Sequence, residues 1–293
     1  MPLKESSGVS AQLSRYLPRM PLSGGASTRW PVQRIFFHRA RAKSPIAGFV
    51  STGISDLGMS CFITFEGPDG SGKTTQIQAL YDDLVGEGYP VLLVREPGGT
   101  DIGDQIRAVL HDVKNVDMMP NAEVLLYSAS RAQLVGQVIR PALETGKVVL
   151  CDRYAESTMA YQGYGYNLDQ ELLKAITTFA TGGLRPDLIV YLDIDVEEGL
   201  RRKEIGFRRG KGEWNRMDQK ELDFHQRARS AYLRMAAAEP ERWFVVDATH
   251  PIVSIQDSIR KRVKRLLGEK GIGRTVRSHG RLGEEGGTNE AHR

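Results

Sequence analysis

Five short apolar runs recur through the middle of the chain, at 62–65, 91–94, 148–151, 188–192 and 243–246. They are apolar throughout rather than alternating, as strands of a parallel sheet covered on both faces should be. Amphipathic stretches lie between them. After the first run, Ile77, Leu80, Tyr81, Leu84 and Val85 follow i, i+3, i+4, i+7, i+8 spacing, which predicts a helix with one apolar face. Gly86 and Gly88 supply its stop. Strand and helix in alternation predict an α/β domain, a parallel sheet flanked by helices. Each run passes into a polar group: Glu66, Arg95-Glu96, Asp152, Asp193 and Asp247. Ligands in such folds bind at the carboxyl ends of the strands, so these residues gather where a site belongs.

The pattern fades at both ends. Residues 1–58 show no sustained period and are rich in Ser, Gly, Pro and Arg, with Glu5 and Asp56 the only acids. That composition permits an organelle transit peptide. The reading adopted is a disordered extension, or an upstream start with Met59 as the true one, because composition is a weak targeting signal. Residues 268–293 are glycine-rich and poor in large apolar side chains, and read as a disordered basic tail. The folded domain is expected over 59–267.

Length and composition narrow the classes. The 293 residues, 40% of them apolar, suffice for a sizeable core. No apolar run approaches the roughly 20 residues of a membrane span, so no membrane partner is expected. Cys61 and Cys151, the only cysteines, lie inside apolar runs. They exclude a disulfide framework and a four-cysteine zinc site, and fit a reducing, cytoplasmic setting. The net charge of +4 suggests nucleic acid until it is divided. Residues 1–58 carry +6 and 260–293 carry +6, which leaves −8 on 59–259. Nucleic acid is therefore not the expected partner of the body. The basic stretch 260–265 reads as the solvated end of a last helix.

The strongest chemical signal is Gly67-Pro68-Asp69-Gly70-Ser71-Gly72-Lys73-Thr74, a full match to G-x-x-x-x-G-K-[ST] after a strand and before a helix. Glycines let successive backbone N–H groups turn inward around phosphate oxygens, and the helix start adds a favourable dipole. Lys73 supplies charge to the β- and γ-phosphates, and the Thr74 hydroxyl is an Mg²⁺ ligand, with Thr75 beside it on the first turn. Asp152, ending an apolar strand, stands where the Mg²⁺-associated carboxylate of a phosphate-loop protein belongs. It could equally accept the acceptor's proton. The expected ligands are ATP and Mg²⁺. The loop alone does not name the acceptor.

Further stretches resemble one family, the thymidylate kinases. Arg95-Glu96-Pro97-Gly98-Gly99-Thr100 resembles its R-E-P-G-G-T loop, and Asp152-Arg153-Tyr154 its D-R-Y motif. Ser157-Thr158-Met159-Ala160-Tyr161-Gln162-Gly163 resembles the bacterial S-x-x-A-Y-Q-G stretch, and Asp223-Phe224-His225-Gln226-Arg227 the D-F-H-Q-R segment after the lid. The resemblance runs from about 59 to 267. It implies the P-loop nucleoside-monophosphate kinase fold, a five-stranded parallel sheet with a mobile lid. It also implies ATP- and Mg²⁺-dependent phosphorylation of dTMP to dTDP by a homodimer.

The resemblance extends to individual residues. Asp69 matches the acid facing the sugar 3′-hydroxyl of the acceptor, and Arg95 and Arg153 match the arginines on its phosphate. Arginine suits that task because its planar fork meets phosphate oxygens in pairs. Tyr127 falls where a Phe stacks on thymine, and its hydroxyl needs a partner if buried. Arg131 falls where an Arg donates to the base carbonyl. Tyr161 falls near the sugar 2′ position, where a ring crowds a ribose hydroxyl. Ser157, Thr158 and Gln162 are further pocket candidates. One branch of the family carries a catalytic Arg inside the phosphate loop. Gly70 stands there in this chain, so the missing charge is expected from a lid over 201–218. Its Lys211-Gly212-Glu213-Trp214-Asn215-Arg216 resembles R-G-E-x-D-R, with Lys and Asn in place of Arg and Asp. Lys211 and Arg216 are the expected catalytic cations, with Arg208 and Arg209 behind them. Two alternatives stay open: a related kinase with another base preference, and an inactive nucleotide-binding regulator.

Overall fold

A computed structural model describes residues 60–274. The expectations for 1–58 and 275–293 lie outside the described residues. The five apolar runs form β1 (Cys61–Glu66), β2 (Val91–Arg95), β3 (Val148–Asp152), β4 (Leu188–Asp193) and β5 (Trp243–Asp247). Each reaches one residue into the polar group that follows it. The strands pair in parallel in the order β2-β3-β1-β4-β5.

Helices cover both faces: α1 (Lys73–Gly86), α2 (Asp101–His111), α3 (Pro120–Leu134), α4 (Arg140–Glu144), α5 (Ala155–Ser157), α6 (Gln170–Thr181), α7 (Val196–Arg208), α8 (Leu222–Ala238) and α9 (Ile252–Glu269). A π-helical turn, Val135–Ile139, joins α3 to α4, and a second, Thr158–Gly165, continues α5. A 3-10 turn, Arg216–Gln219, precedes α8.

Side chains of β1 alternate between two cores, as the two-residue period of a strand requires. Cys61, Ile63 and Phe65 pack with Ile77, Leu80 and Leu84 of α1 and with Ile255, Ile259 and Val263 of α9. Phe62 faces the other way, into Leu134, Val135, Ile139 and Tyr154. A third cluster joins Tyr191 to Phe224, Ala228 and Tyr232 of α8.

Two expectations change. Only the inner strands β1, β3 and β4 are buried along their length, because β2 and β5 are sheet edges; β2 is half-buried and Val245 of β5 is exposed. The last helix runs to Glu269, and Ile272 folds back into the α1–α9 core, so packing extends past the expected boundary at 267. The basic residues of α9 are largely paired: Arg260 with Asp257 and Asp83, Lys264 with Glu87, Arg265 with Glu269. Among the described residues no helix is long and apolar enough to cross a membrane.

Candidate active site

Sheet register assembles the site. Phe65 of β1 and Arg95 of β2 both stand opposite Asp152 of β3. Three strand ends are therefore level, and the segments that follow them emerge at one rim.

The first is the phosphate loop. Gly67, Gly70 and Gly72 all adopt positive φ, a region that glycine enters without a Cβ penalty. Gly72 is the N-cap of α1, and no side chain caps it. The first N–H groups of the helix thus lack a side-chain partner and form an anion site. The Lys73 ammonium folds back over the loop, donating to Gly67 O at 2.9 Å and Pro68 O at 2.8 Å. Burial, with Arg153 nearby, lowers its pKa to about 8. Ser71 is buried with its hydroxyl unpartnered.

Thr74 Oγ1 donates to Asp152 Oδ2 at 3.0 Å. These are hard oxygen donors side by side, with Thr74 and Thr75 exposed at the rim. Among the described residues no cluster of three or more His, Cys, Asp or Glu is arranged to hold a metal. Two protein oxygens with the rest supplied by phosphate and water is the coordination Mg²⁺ favours, so the residues present fit that ion.

The loop is packed from behind. A Cβ at Gly70 would lie 1.9 Å from Gly199 O of α7. No side chain fits at that position, which explains why the loop carries no arginine there.

Beside the loop sits Arg153, with φ 70, directly after β3. That conformation is uncommon outside glycine and typical of functional sites. Its guanidinium donates to Asp69 Oδ1 at 2.8 Å and Ser157 Oγ at 3.3 Å, and lies 5.2 Å from the Tyr161 ring centroid. Lys203 of α7 stands 3.3 Å from the other oxygen of Asp69. Burial alone would raise the Asp69 pKa. Lys203, then Arg153 and Lys73, outweigh it and hold the carboxyl well below the usual range. Arg95 is half-exposed and pairs with Asp104 at 3.5 Å.

Other predicted residues fall behind this rim. Tyr161 is buried among Phe224 and Tyr232. Tyr127 is half-buried on α3, and its hydroxyl has no hydrogen-bond partner among the described residues. Gln162 is buried and donates to Glu123 Oε1 at 2.7 Å. Ser157 donates to Glu66 Oε2 at 2.7 Å and lies 3.0 Å from the Tyr232 hydroxyl. It braces the interior.

Arg131 departs most from expectation on this side. It is 1% exposed and donates to Glu96, Thr158 Oγ1 and Tyr154 O at 2.8–2.9 Å. Glu96 is itself buried, with a pKa pushed up to about 7, and requires that cation. In this structure Arg131 is a clamp within the fold.

The lid segment divides in two. Arg201 and Arg202 pair with Glu198, and Arg208 with Glu204. Arg209 and Lys211 are exposed and make no ion pair among the described residues. Glu213 reaches α2, accepting from Arg107 at 2.8 Å with His111 at 3.3 Å. Asn215 caps the 3-10 turn, the role a short polar side chain takes at a helix start. Arg216, expected to face the phosphates, is 2% exposed, ion-paired with Glu123 and bonded to Leu110 O. Glu123 is wholly buried and also receives Tyr166 and Gln162, so it must hold a cation.

Sequence reasoning missed Glu123, Lys203, Asp218 and Tyr232, and the partners of Glu66. Glu66 accepts from Tyr154 N, Ser157 and Tyr232 of α8. The polar end of β1 marked Glu66, but its partners come from distant elements.

Comparison with known proteins covers the same stretch. A family profile described as Thymidylate kinase matches residues 65–259. A thymidylate kinase of Roseiflexus sp. (strain RS-1) is 54% identical over 216 residues, covering 71% of this chain and 96% of that protein. One from Deinococcus radiodurans is 47% identical over 215 residues, covering 73% and 100%. The crystal structure of thymidylate kinase from Ehrlichia chaffeensis superposes with a TM-score of 0.56 at 30% identity, covering 70% of this chain and 98% of that one. The profile's span takes in the phosphate loop and the lid, and the chain belongs to the thymidylate kinase family.

Proposed function

We propose that the chain transfers a phosphoryl group from ATP to dTMP, giving dTDP, with Mg²⁺ at the donor side of this rim. The observation that supports it most is the meeting of two cationic sites across one acid. The uncapped start of α1 with Lys73 lies on one side, Arg153 lies on the other, and Asp69 stands between them.

Phosphoryl transfer asks for positioning and charge neutralisation more than covalent chemistry. Lys73 exchanges the carbonyls of Gly67 and Pro68 for phosphate oxygens, and the loop N–H groups hold those oxygens in place. Thr74 and Asp152 would hold Mg²⁺, which when bound would supply charge neutralisation to the phosphates. Arg153, with Arg95 beside it, grips the acceptor phosphate. Asp69 stays ionised and accepts from the sugar 3′-hydroxyl. The Tyr161 ring fills the space at the sugar 2′ position and selects deoxyribose. Tyr127 offers a face for the thymine ring, above a polar floor of Gln162 and Glu123. Arg131 positions Thr158 and Glu96 beneath it. The unpaired lid cations Arg209 and Lys211 supply the charge that Gly70 cannot, while Arg216 anchors the lid's exit.

A second copy of the chain is the proposed partner. α2, α3 and α6 pack side by side. Their outer surfaces carry Ile102 and Val109, Leu125, and Leu172 and Phe179, all exposed, Phe179 at 89%. Residues seven apart share a helix face, so these form an apolar layer suited to self-association. Dilution in size-exclusion chromatography, with Phe179→Glu as the monomeric control, tests it. A cytoplasmic setting accords with the buried, reduced Cys61 and Cys151.

The deciding experiment is a coupled ADP-release assay with ATP, Mg²⁺ and each monophosphate in turn. Selective turnover of dTMP is expected. Turnover of another monophosphate would keep the phosphate chemistry and discard the base pocket. No turnover by a folded, ATP-binding chain would overturn the reading.

A further inference from the structure

Helix α7 meets the phosphate loop at a glycine. A Cβ on Gly199 would lie 2.6 Å from Asp69 O, so helix and loop backbones touch. The residue four positions on shares that helix face, and it is Lys203. Its Nζ lies 3.3 Å from Asp69 Oδ2 and 2.5 Å from Asp218 Oδ1. The Asp218 side chain is wholly buried and closes the 3-10 turn at the lid's exit by accepting the Asn215 N–H at 2.8 Å. One ammonium thus joins the phosphate loop, the lid helix and the lid's exit.

Asp69 has two cationic partners, one on each oxygen: Arg153 on Oδ1 and Lys203 on Oδ2. Arg153 is also the side chain assigned to the acceptor phosphate. A guanidinium that turns its fork to a phosphate divides its donors and leaves Asp69 a weaker hold. Lys203, fixed by Asp218, keeps its hold. Each carboxylate oxygen accepts more than one hydrogen bond, so a sugar hydroxyl can join Lys203 on Asp69 without displacing it. We propose that Lys203 is the positioning residue for Asp69, holding its carboxylate oriented toward the acceptor sugar once Arg153 engages phosphate. The tie to Asp218 makes that hold depend on the lid's exit turn. The inference rests on the reading of Asp69 as the partner of the 3′-hydroxyl.

Steady-state kinetics with dTMP and with its 3′-deoxy analogue separate the two claims. Asp69→Asn should lower kcat/KM for dTMP about tenfold or more and spare the analogue, as loss of a charged hydrogen-bond partner predicts. Lys203→Met should lower kcat/KM for dTMP about tenfold, with the analogue and the KM for ATP within about twofold of the parent. Lys203→Arg should recover most of the loss. In the Asp69→Asn background, Lys203→Met should cost less than about twofold further, since both act through one contact. Should Lys203→Met fold poorly with Asp218 left unpaired, Lys203→Met combined with Asp218→Asn removes both charges and should show the same acceptor-selective loss. Equal losses with both acceptors, or an undiminished loss in the Asp69→Asn background, overturn the proposal. An Asp69→Asn enzyme that discriminates between the acceptors as the parent does overturns the reading of Asp69, and the proposal with it.

Discussion

The phosphate loop and the lid draw on similar residues, glycines and cations, and are held in shape by opposite means. The loop is fixed by its backbone: three glycines at positive φ, the Ser71 N–H on Pro68 O, and a helix start with no cap. The lid is fixed by side chains. Glu198 and Glu204 take its arginines, Glu213 crosses to α2, and Arg216 reaches Glu123 of α3. A backbone-held shape presents its anion site whether or not a ligand is there. A side-chain-held shape can trade partners when one arrives, as a closing lid requires.

Substitutions in the two regions should therefore fail differently. The largest effect is expected at Lys73→Ala, which removes the ammonium of the phosphate loop. Turnover should fall about a thousandfold, while the unfolding midpoint drops only by the loss of the two bonds from the ammonium to Gly67 O and Pro68 O, about 1 kcal/mol each. Burial has already lowered the Lys73 pKa to about 8. Lysine is charged below its pKa, so kcat/KM for ATP, which reports the free enzyme, should decline as pH rises through about 8. The kcat profile should decline only at higher pH, because bound phosphates hold the proton.

Arg216→Ala inverts that outcome. It leaves the carboxylate of Glu123 buried without its cation, a change worth about 3–5 kcal/mol of stability. Urea denaturation should show the loss, and adding Glu123→Gln should recover part of it. A turnover defect with unchanged stability would return Arg216 to the phosphates and narrow the contrast between the regions. Arg153→Ala lies between the two. The KM for dTMP should rise about a hundredfold, the size of a lost charge-assisted fork, with the KM for ATP within about threefold.

How much could be read from the sequence follows the same division. The strands and the phosphate loop were legible because each is written locally, in an apolar run or a glycine spacing. That Arg153 and Asp69 meet at the rim could be anticipated because they adjoin those signals. The pairing of Arg216 with Glu123 was not legible because that partner lies 93 residues away. Buried Glu123 also binds Gln162 and Tyr166, a need no local pattern records. Arg131 was placed in the base pocket because its position matches a motif. Burial of Glu96 beside it decides where the guanidinium goes. Lys203 stood among seven basic lid residues with nothing to single it out. Its spacing of four from Gly199 matters only once Gly199 is known to touch the loop.

The smallest effect should come from the lid cations that remain free. Arg209 and Lys211 are exposed and flanked by Gly210 and Gly212, both at positive φ. Neither contributes to the fold, so neither Lys211→Ala nor Arg209→Ala should move the unfolding midpoint. An exposed cation on a mobile segment stabilises transferred charge less than a buried one, because water screens it until the lid closes. Each single substitution should lower kcat about tenfold, far less than Lys73→Ala, and leave the KM for dTMP unchanged. Single-turnover rates at saturating ATP measure this directly. If both act through one contact, the double variant matches the single ones. If they act separately, the losses multiply. Unchanged rates in the double variant would show that the charge Gly70 cannot carry comes from neither residue. The lid would then act by excluding water, held shut through Glu213 and Arg107.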